Sequence, residues 1–122
     1  MWLALVHGYW IIGNETGPRG PWRVQTSGYS YILHAEGGHE LLAFQWHPIG
    51  PSAVTTPHVH LSYGLGIQRT EFMGIHVPTG RVAAEDVLRM LIRDLSIKAR
   101  RADWEAVLED TQSKFVEWRS WG

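Results

Sequence analysis

The stretch from Trp22 to His47, WRVQTSGYSYILHAEGGHELLAFQWH, decides the fold. Trp22 to Ala35 is rich in aromatic and β-branched residues around Gly28. The turn Glu36-Gly-Gly-His39 follows, then a second apolar run from Glu40 to His47, and together they read as a β-hairpin. Downstream, a proline-punctuated loop from Pro48 to Pro57 delivers the chain into Pro57-His-Val-His-Leu-Ser-Tyr63, a third strand whose leading proline costs no interior ladder bond. Glu71 to Val77 reads as one more short strand, ending at Pro78-Thr-Gly80. Upstream, the Gly/Pro-rich loop Asn14 to Pro21 sets off Met1 to Gly13, which reads as a core strand or strand pair.

Helical periodicity begins after Gly80. Val87, Leu88, Leu91, Ile92 and Leu95 fall on one stripe, and Glu85, Arg89 and Arg93 form an (i, i+4) row on another side. Lys98-Ala-Arg-Arg101 ends this helix with positive charge near the C-terminal dipole, and Asp103 is placed to cap the next one. There Trp104, Val107, Leu108, Thr111, Phe115 and Trp118 make the apolar face. Strands first and helices after give an α+β expectation: one domain over residues 1–122, mainly β over 1–78 and mainly α over 79–122, with an antiparallel sheet of about four to five strands and both helices on one face.

The 122 residues are enough for one core, and an apolar fraction of 44% with seven tryptophans excludes a disordered chain. Trp2, Trp10, Trp22, Trp46 and Trp104 are expected mainly in the core, and the C-terminal pair Trp118 and Trp121 on a partner surface, a route to a homo-oligomer. A formal charge of −1 provides no global field for a polyanion. The basic cluster Lys98, Arg100 and Arg101 beside Trp104 therefore reads first as a solvated helix end. The apolar opening lacks a basic n-region and a small-residue cleavage site and is too short to span a bilayer, so no membrane role is expected. With no cysteine, disulfides, thiolate catalysis and cysteine-zinc sites are excluded, and the cytoplasm is the expected compartment.

Strand parity sorts the chemistry. Val59, Leu61 and Tyr63 share one face of their strand, and His58, His60 and Ser62 share the other; Leu42, Phe44 and Trp46 oppose Leu41, Ala43, Gln45 and His47. If the apolar sets look toward the helices, Gln45, His47, His58, His60 and Ser62 share the opposite face, provided no bulge intervenes. Two histidines at (i, i+2) on a strand suit a divalent metal such as zinc. With His58 and His60 as a pair, the third ligand comes from His47, His76 or Glu71; the spacing does not match a cupin's.

A metal-free alternative uses His58 and His60 as general base and general acid in phosphodiester cleavage, with Arg69, Arg81 or Arg23 holding the phosphate. His60-Leu-Ser62 has the His-x-Ser form of two-histidine phosphoesterases, but that class needs the motif twice, and His76-Val-Pro78 does not supply it. A histidine-triad hydrolase would need a further histidine in place of Ser62.

The order of a Tyr-Ser-Tyr strand (Tyr29 to Tyr31), a hairpin, the Pro57-His-Val-His60 segment and a helix opening near Glu85-Asp-Val-Leu88 resembles the TumE-type toxins of bacterial and archaeal toxin-antitoxin pairs, over the middle half to two-thirds of the chain. The resemblance implies a small toxin acting on RNA, a ribonuclease or other hydrolase, neutralised by a helix-turn-helix antitoxin. The chain departs from the pattern at Gln45-Trp-His-Pro48, where an asparagine-containing segment is expected, and in its tryptophan-rich C-terminal helix. The leading reading takes His58 and His60 as the catalytic or ligand pair, with His47 in support and Arg69 from the metal-free reading as the cation. The metal alternative on His47, His58 and His60, and a non-enzymatic assembly module, remain beside it.

Overall fold

The computed structural model describes residues 1–66, 70–72 and 74–119. Five strands form one antiparallel sheet in simple meander order: β1 (Trp2–Gly13), β2 (Trp22–His34), β3 (Glu40–Trp46), β4 (His58–Leu61) and β5 (His76–Pro78). Two helices follow, α1 (Ala84–Arg93) and α2 (Trp104–Trp118). The α+β arrangement is as the hydrophobic patterning dictates.

The β2–β3 hairpin is the spine. Across it Tyr29 faces Trp46, Tyr31 faces Phe44 and Leu33 faces Leu42, so one face presents a continuous apolar row. α1 lays Val87 and Leu91 onto that row, forming the core with Tyr29, Tyr31, Leu33 and Trp46. Tyr29 keeps its hydroxyl satisfied inside this layer by accepting the Val82 N–H at 3.0 Å, which anchors the entry to α1. α2 docks on α1 rather than on the sheet centre. The Glu85, Arg89, Arg93 row works between the helices: Arg89 reaches Glu109 at 3.8 Å and Arg93 pairs with Glu105. Asp86 caps the Ala83 N–H and accepts Gln112 of α2.

Several expectations are corrected. Met1 to Gly13 is not a core strand or a strand pair but one unbroken strand at the edge of the sheet, where among the described residues only β2 pairs with it. Consequently Trp2, Trp10 and Trp22 are half or more exposed and Trp104 is half-buried, and of the five tryptophans assigned to the core only Trp46 is buried. The expected strand over Glu71 to Val77 starts later: a 3-10 turn occupies Thr70–Phe72, and pairing with β4 begins at His76. β4 ends at Leu61, and Tyr63 enters a 3-10 turn. α1 stops at Arg93, short of Lys98, because Ser96 adopts φ 54° and the Ile97 N–H turns back onto the Leu91 carbonyl at 3.0 Å; such a left-handed residue cannot continue a right-handed helix. Asp103 precedes α2 but its side chain makes no capping bond, since Arg101 takes both carboxylate oxygens at 2.9 and 2.8 Å.

Candidate metal centre

The face of the sheet away from the helices is where the histidines gather. β3 and β4 pair without irregularity, Ala43 opposite His60 and Gln45 opposite His58, so parity holds and both imidazoles rise from this face. β5 then sets His76 directly opposite His60. His58, His60 and His76 each offer a ring nitrogen, and the three nitrogens lie within 4.8 Å of one another. Ring centroids are 4.3 to 4.9 Å apart in edge-on pairs.

The geometry suits a tetrahedral ion. Zinc–imidazole bonds of about 2.0–2.1 Å at a tetrahedral angle place two ligand nitrogens ~3.3 Å apart; Nε2 of His58 and Nε2 of His60 are 3.1 Å apart. His58 is oriented for this role, because its Nδ1–H donates to the Thr56 carbonyl at 2.7 Å. That bond fixes the tautomer and leaves the Nε2 lone pair facing the cluster, as an outer-shell partner does for a metal-bound histidine. His58 is 3% exposed, His60 half-buried and His76 exposed, so the cluster opens to solvent on its His76 side.

Electrostatics keep His60 ready for a cation. The His60 imidazole is held below its ordinary value of 6.5, first by burial and then by the neighbouring His76 and His58 rings, with Glu40 pulling the other way and His47 adding a smaller depression. A depressed imidazole is neutral at physiological pH, which is the form that binds metal.

Glu40 reaches this face through a bulge. Leu33 pairs with Leu42 but His34 pairs with Glu40, so Leu41 is an extra residue, and Glu40 moves from the helix-facing set to the histidine face. Its Oε1 accepts the Ser62 hydroxyl at 2.8 Å, joining a carboxylate and a hydroxyl beside His60. Unbroken alternation from Leu42 would place Glu40 on the helix face; the bulge is what sets it among the histidines.

The sequence-derived candidates divide accordingly. His58 and His60 come together with His76, one of the three proposed third ligands. His47 is exposed at the end of β3 and outside the convergent set, although its charge is felt at His60. Glu71 lies in the 3-10 turn Thr70–Phe72, also outside the set. Arg69 and Trp121 lie outside the described residues. Arg81 stacks over Trp46 at 4.6 Å, on the helix side, and Arg23 lines a groove with Trp22 and Trp118, so neither stands with the histidine pair. Trp118 is 54% exposed and carries Arg19 over its ring at 3.0 Å.

Comparison of the chain with family models, with curated proteins and with solved structures gives no match. No described helix is long and apolar enough to cross a membrane.

Proposed function

We propose that the chain is a metal-dependent enzyme, with His58, His60 and His76 holding a divalent ion of the zinc type. The observation that carries this is the convergence of three imidazole nitrogens from two adjacent strands onto one point. Three protein ligands with a solvent-facing fourth position are the pattern of a catalytic site, whereas structural zinc sites are closed by four. A divalent ion held there would supply Lewis-acid polarisation at the solvent-facing side of the cluster. Glu40, whose carboxylate accepts the Ser62 hydroxyl, is the neighbouring group that would act as general base.

Hydrolysis is the reaction class this set supports, and an RNA phosphodiester is the substrate that the likeness to TumE-type toxins adds, with an antitoxin as the partner. A metal-free ribonuclease would use His58 and His60 as general base and acid. The burial of His58 and the commitment of its Nδ1 to Thr56 favour the ligand role, because a general acid has to reach the substrate.

Elemental analysis of tag-free protein after zinc loading and gel filtration tests the reading. One zinc per chain, lost in the His58→Ala, His60→Ala double variant, is the expected result. A folded wild-type chain that retains no zinc and cleaves RNA in excess chelator overturns it in favour of acid-base catalysis.

A further inference from the structure

We propose that β1 is a dimerisation edge, and that two copies of the chain join by antiparallel pairing of Trp2–Gly13 with the same strand of the second copy. The inference is independent of the metal reading.

Among the described residues β1 is bonded to β2 along one side only, at the end of the sheet order. Its outer side therefore presents a row of backbone donors and acceptors along 12 residues. Sheet proteins blunt such edges with charged residues, proline, bulges or short strands. β1 has none of these: Met1 to Gly13 contains no Asp, Glu, Lys, Arg or Pro. The irregularity at Gly8/Tyr9 belongs to its partner, where Ser27 is the extra residue. The opposite edge is built the other way, since β5 has three residues and ends in Pro78. One edge is closed to pairing and the other is open.

The side chains flanking the open edge are large and apolar on both faces. Leu5, Tyr9 and Ile11 are exposed on the helix side, and Trp2, Val6 and Trp10 on the other, with Ile11 64% and Val6 63% exposed. At about 3.3 Å per residue the strand offers an edge ~40 Å long, well beyond an ordinary strand, for pairing.

The occupant follows from the chemistry. Alternating N–H and C=O groups at strand spacing are satisfied by another β-strand. An uncharged strand has no counter-charge for an acidic or basic partner, yet no register of self-pairing brings like charges together. A second copy also covers apolar residues on both faces at once. In this dimer the β1 strands lie at the centre of a continuous sheet, and β5, with His76, lies at each outer edge, so both histidine clusters stay open.

Light scattering on the full chain across ~1–100 μM tests the proposal. Wild type is expected at twice the 13.9 kDa chain mass. The Val6→Lys, Trp10→Lys double variant is expected at single-chain mass with unchanged far-ultraviolet circular dichroism, and Ile49→Lys, in an exposed loop, is expected to stay dimeric. Because the chain has no cysteine, a Val6→Cys variant gives a second reading that does not depend on weakening the strand: a short bifunctional maleimide should join it into covalent dimers, and should leave Ile49→Cys single. A monomeric wild type at the highest concentration, a folded double variant that remains dimeric, or Val6→Cys chains that do not cross-link overturns the proposal.

Discussion

His76 stands directly opposite His60 across the β4–β5 ladder, with ring centroids 4.3 Å apart, and this pairing adds a third candidate ligand to the two that the His-x-His spacing offers. Removing either ring removes a ligand. His76→Ala should therefore weaken zinc binding by more than about 100-fold, beyond the 10–100-fold typical of losing an outer-shell partner, while His47→Ala should leave it within a few-fold. Competition against a chromophoric chelator measures both. Equal losses in the two variants would place His47 among the ligands and remove the distinction drawn from the ladder.

The 3.1 Å approach of the two Nε2 atoms fixes a proton as well as a distance. His58 donates from Nδ1 to Thr56, so its Nε2 accepts, and His60 donates from Nε2. A metal ion needs both lone pairs, and His60 must then carry its proton on Nδ1. Nitrogen-15 NMR of the ring nuclei should show His60 changing tautomer on zinc addition while His58 does not. Retention of the Nε2 proton on His60 in the zinc-bound protein would show that this nitrogen is not a ligand.

Acid should destabilise the metal-free fold in a defined window. His60 is lowered from 6.5 mainly by burial, and so is His7, where burial outweighs the raising effect of Glu85. The His7 ring is also committed at both nitrogens, to Tyr31 and Thr26, each at 3.1 Å. A depressed imidazole binds its proton less readily when folded, so its contribution to stability is present above 6.5 and is lost as pH falls through the lower folded value. Urea midpoints should be level from about pH 8 to 7 and fall below about 6.5, less steeply in His7→Gln. A midpoint that rises on acidification would contradict the sign. Bound zinc should be released over the same range, because protons compete for the ligands.

How much of this was legible in the sequence depends on whether a residue's place is local or set by a neighbour. The Trp22 to His47 hairpin and the His58, His60 face were readable because alternation acts within one strand and no bulge interrupts β3 against β4. The third ligand stayed open among three, since only the β4–β5 register makes His76 a neighbour of His60. β1 was misplaced in the core because an apolar run is the same string whether it lies at a sheet centre or at an edge; what differs is how far the helix layer reaches. Asp103 looked like a cap, but Arg101, two residues earlier, is the stronger partner for its carboxylate. Arg69 and Trp121 lie outside the described residues.

Glu40 owes its place to a bulge, and that yields the last prediction. Leu41 is left out of the β2–β3 ladder between Leu33 and His34, so Glu40 stays opposite His34 on the histidine face, where its carboxylate holds Ser62 at 2.8 Å. If this carboxylate serves the metal-dependent step, Glu40→Gln should keep the fold and bind zinc within about 10-fold of wild type, yet lose hydrolysis by the 10²–10⁴-fold typical of a general base. Deleting Leu41 separates the bulge from the carboxylate: Leu33 still faces Leu42 and His34 still faces Glu40, now in a regular ladder, so alternation keeps the carboxylate on the histidine face. The deletion should therefore keep far more hydrolysis than Glu40→Gln, with an unfolding midpoint near that of Leu41→Ala, since both lose the same half-buried side chain. Rates and midpoints measured on the three variants separate the carboxylate's chemistry from the strand that presents it. A Glu40→Gln chain as active as wild type would leave the bulge as architecture alone.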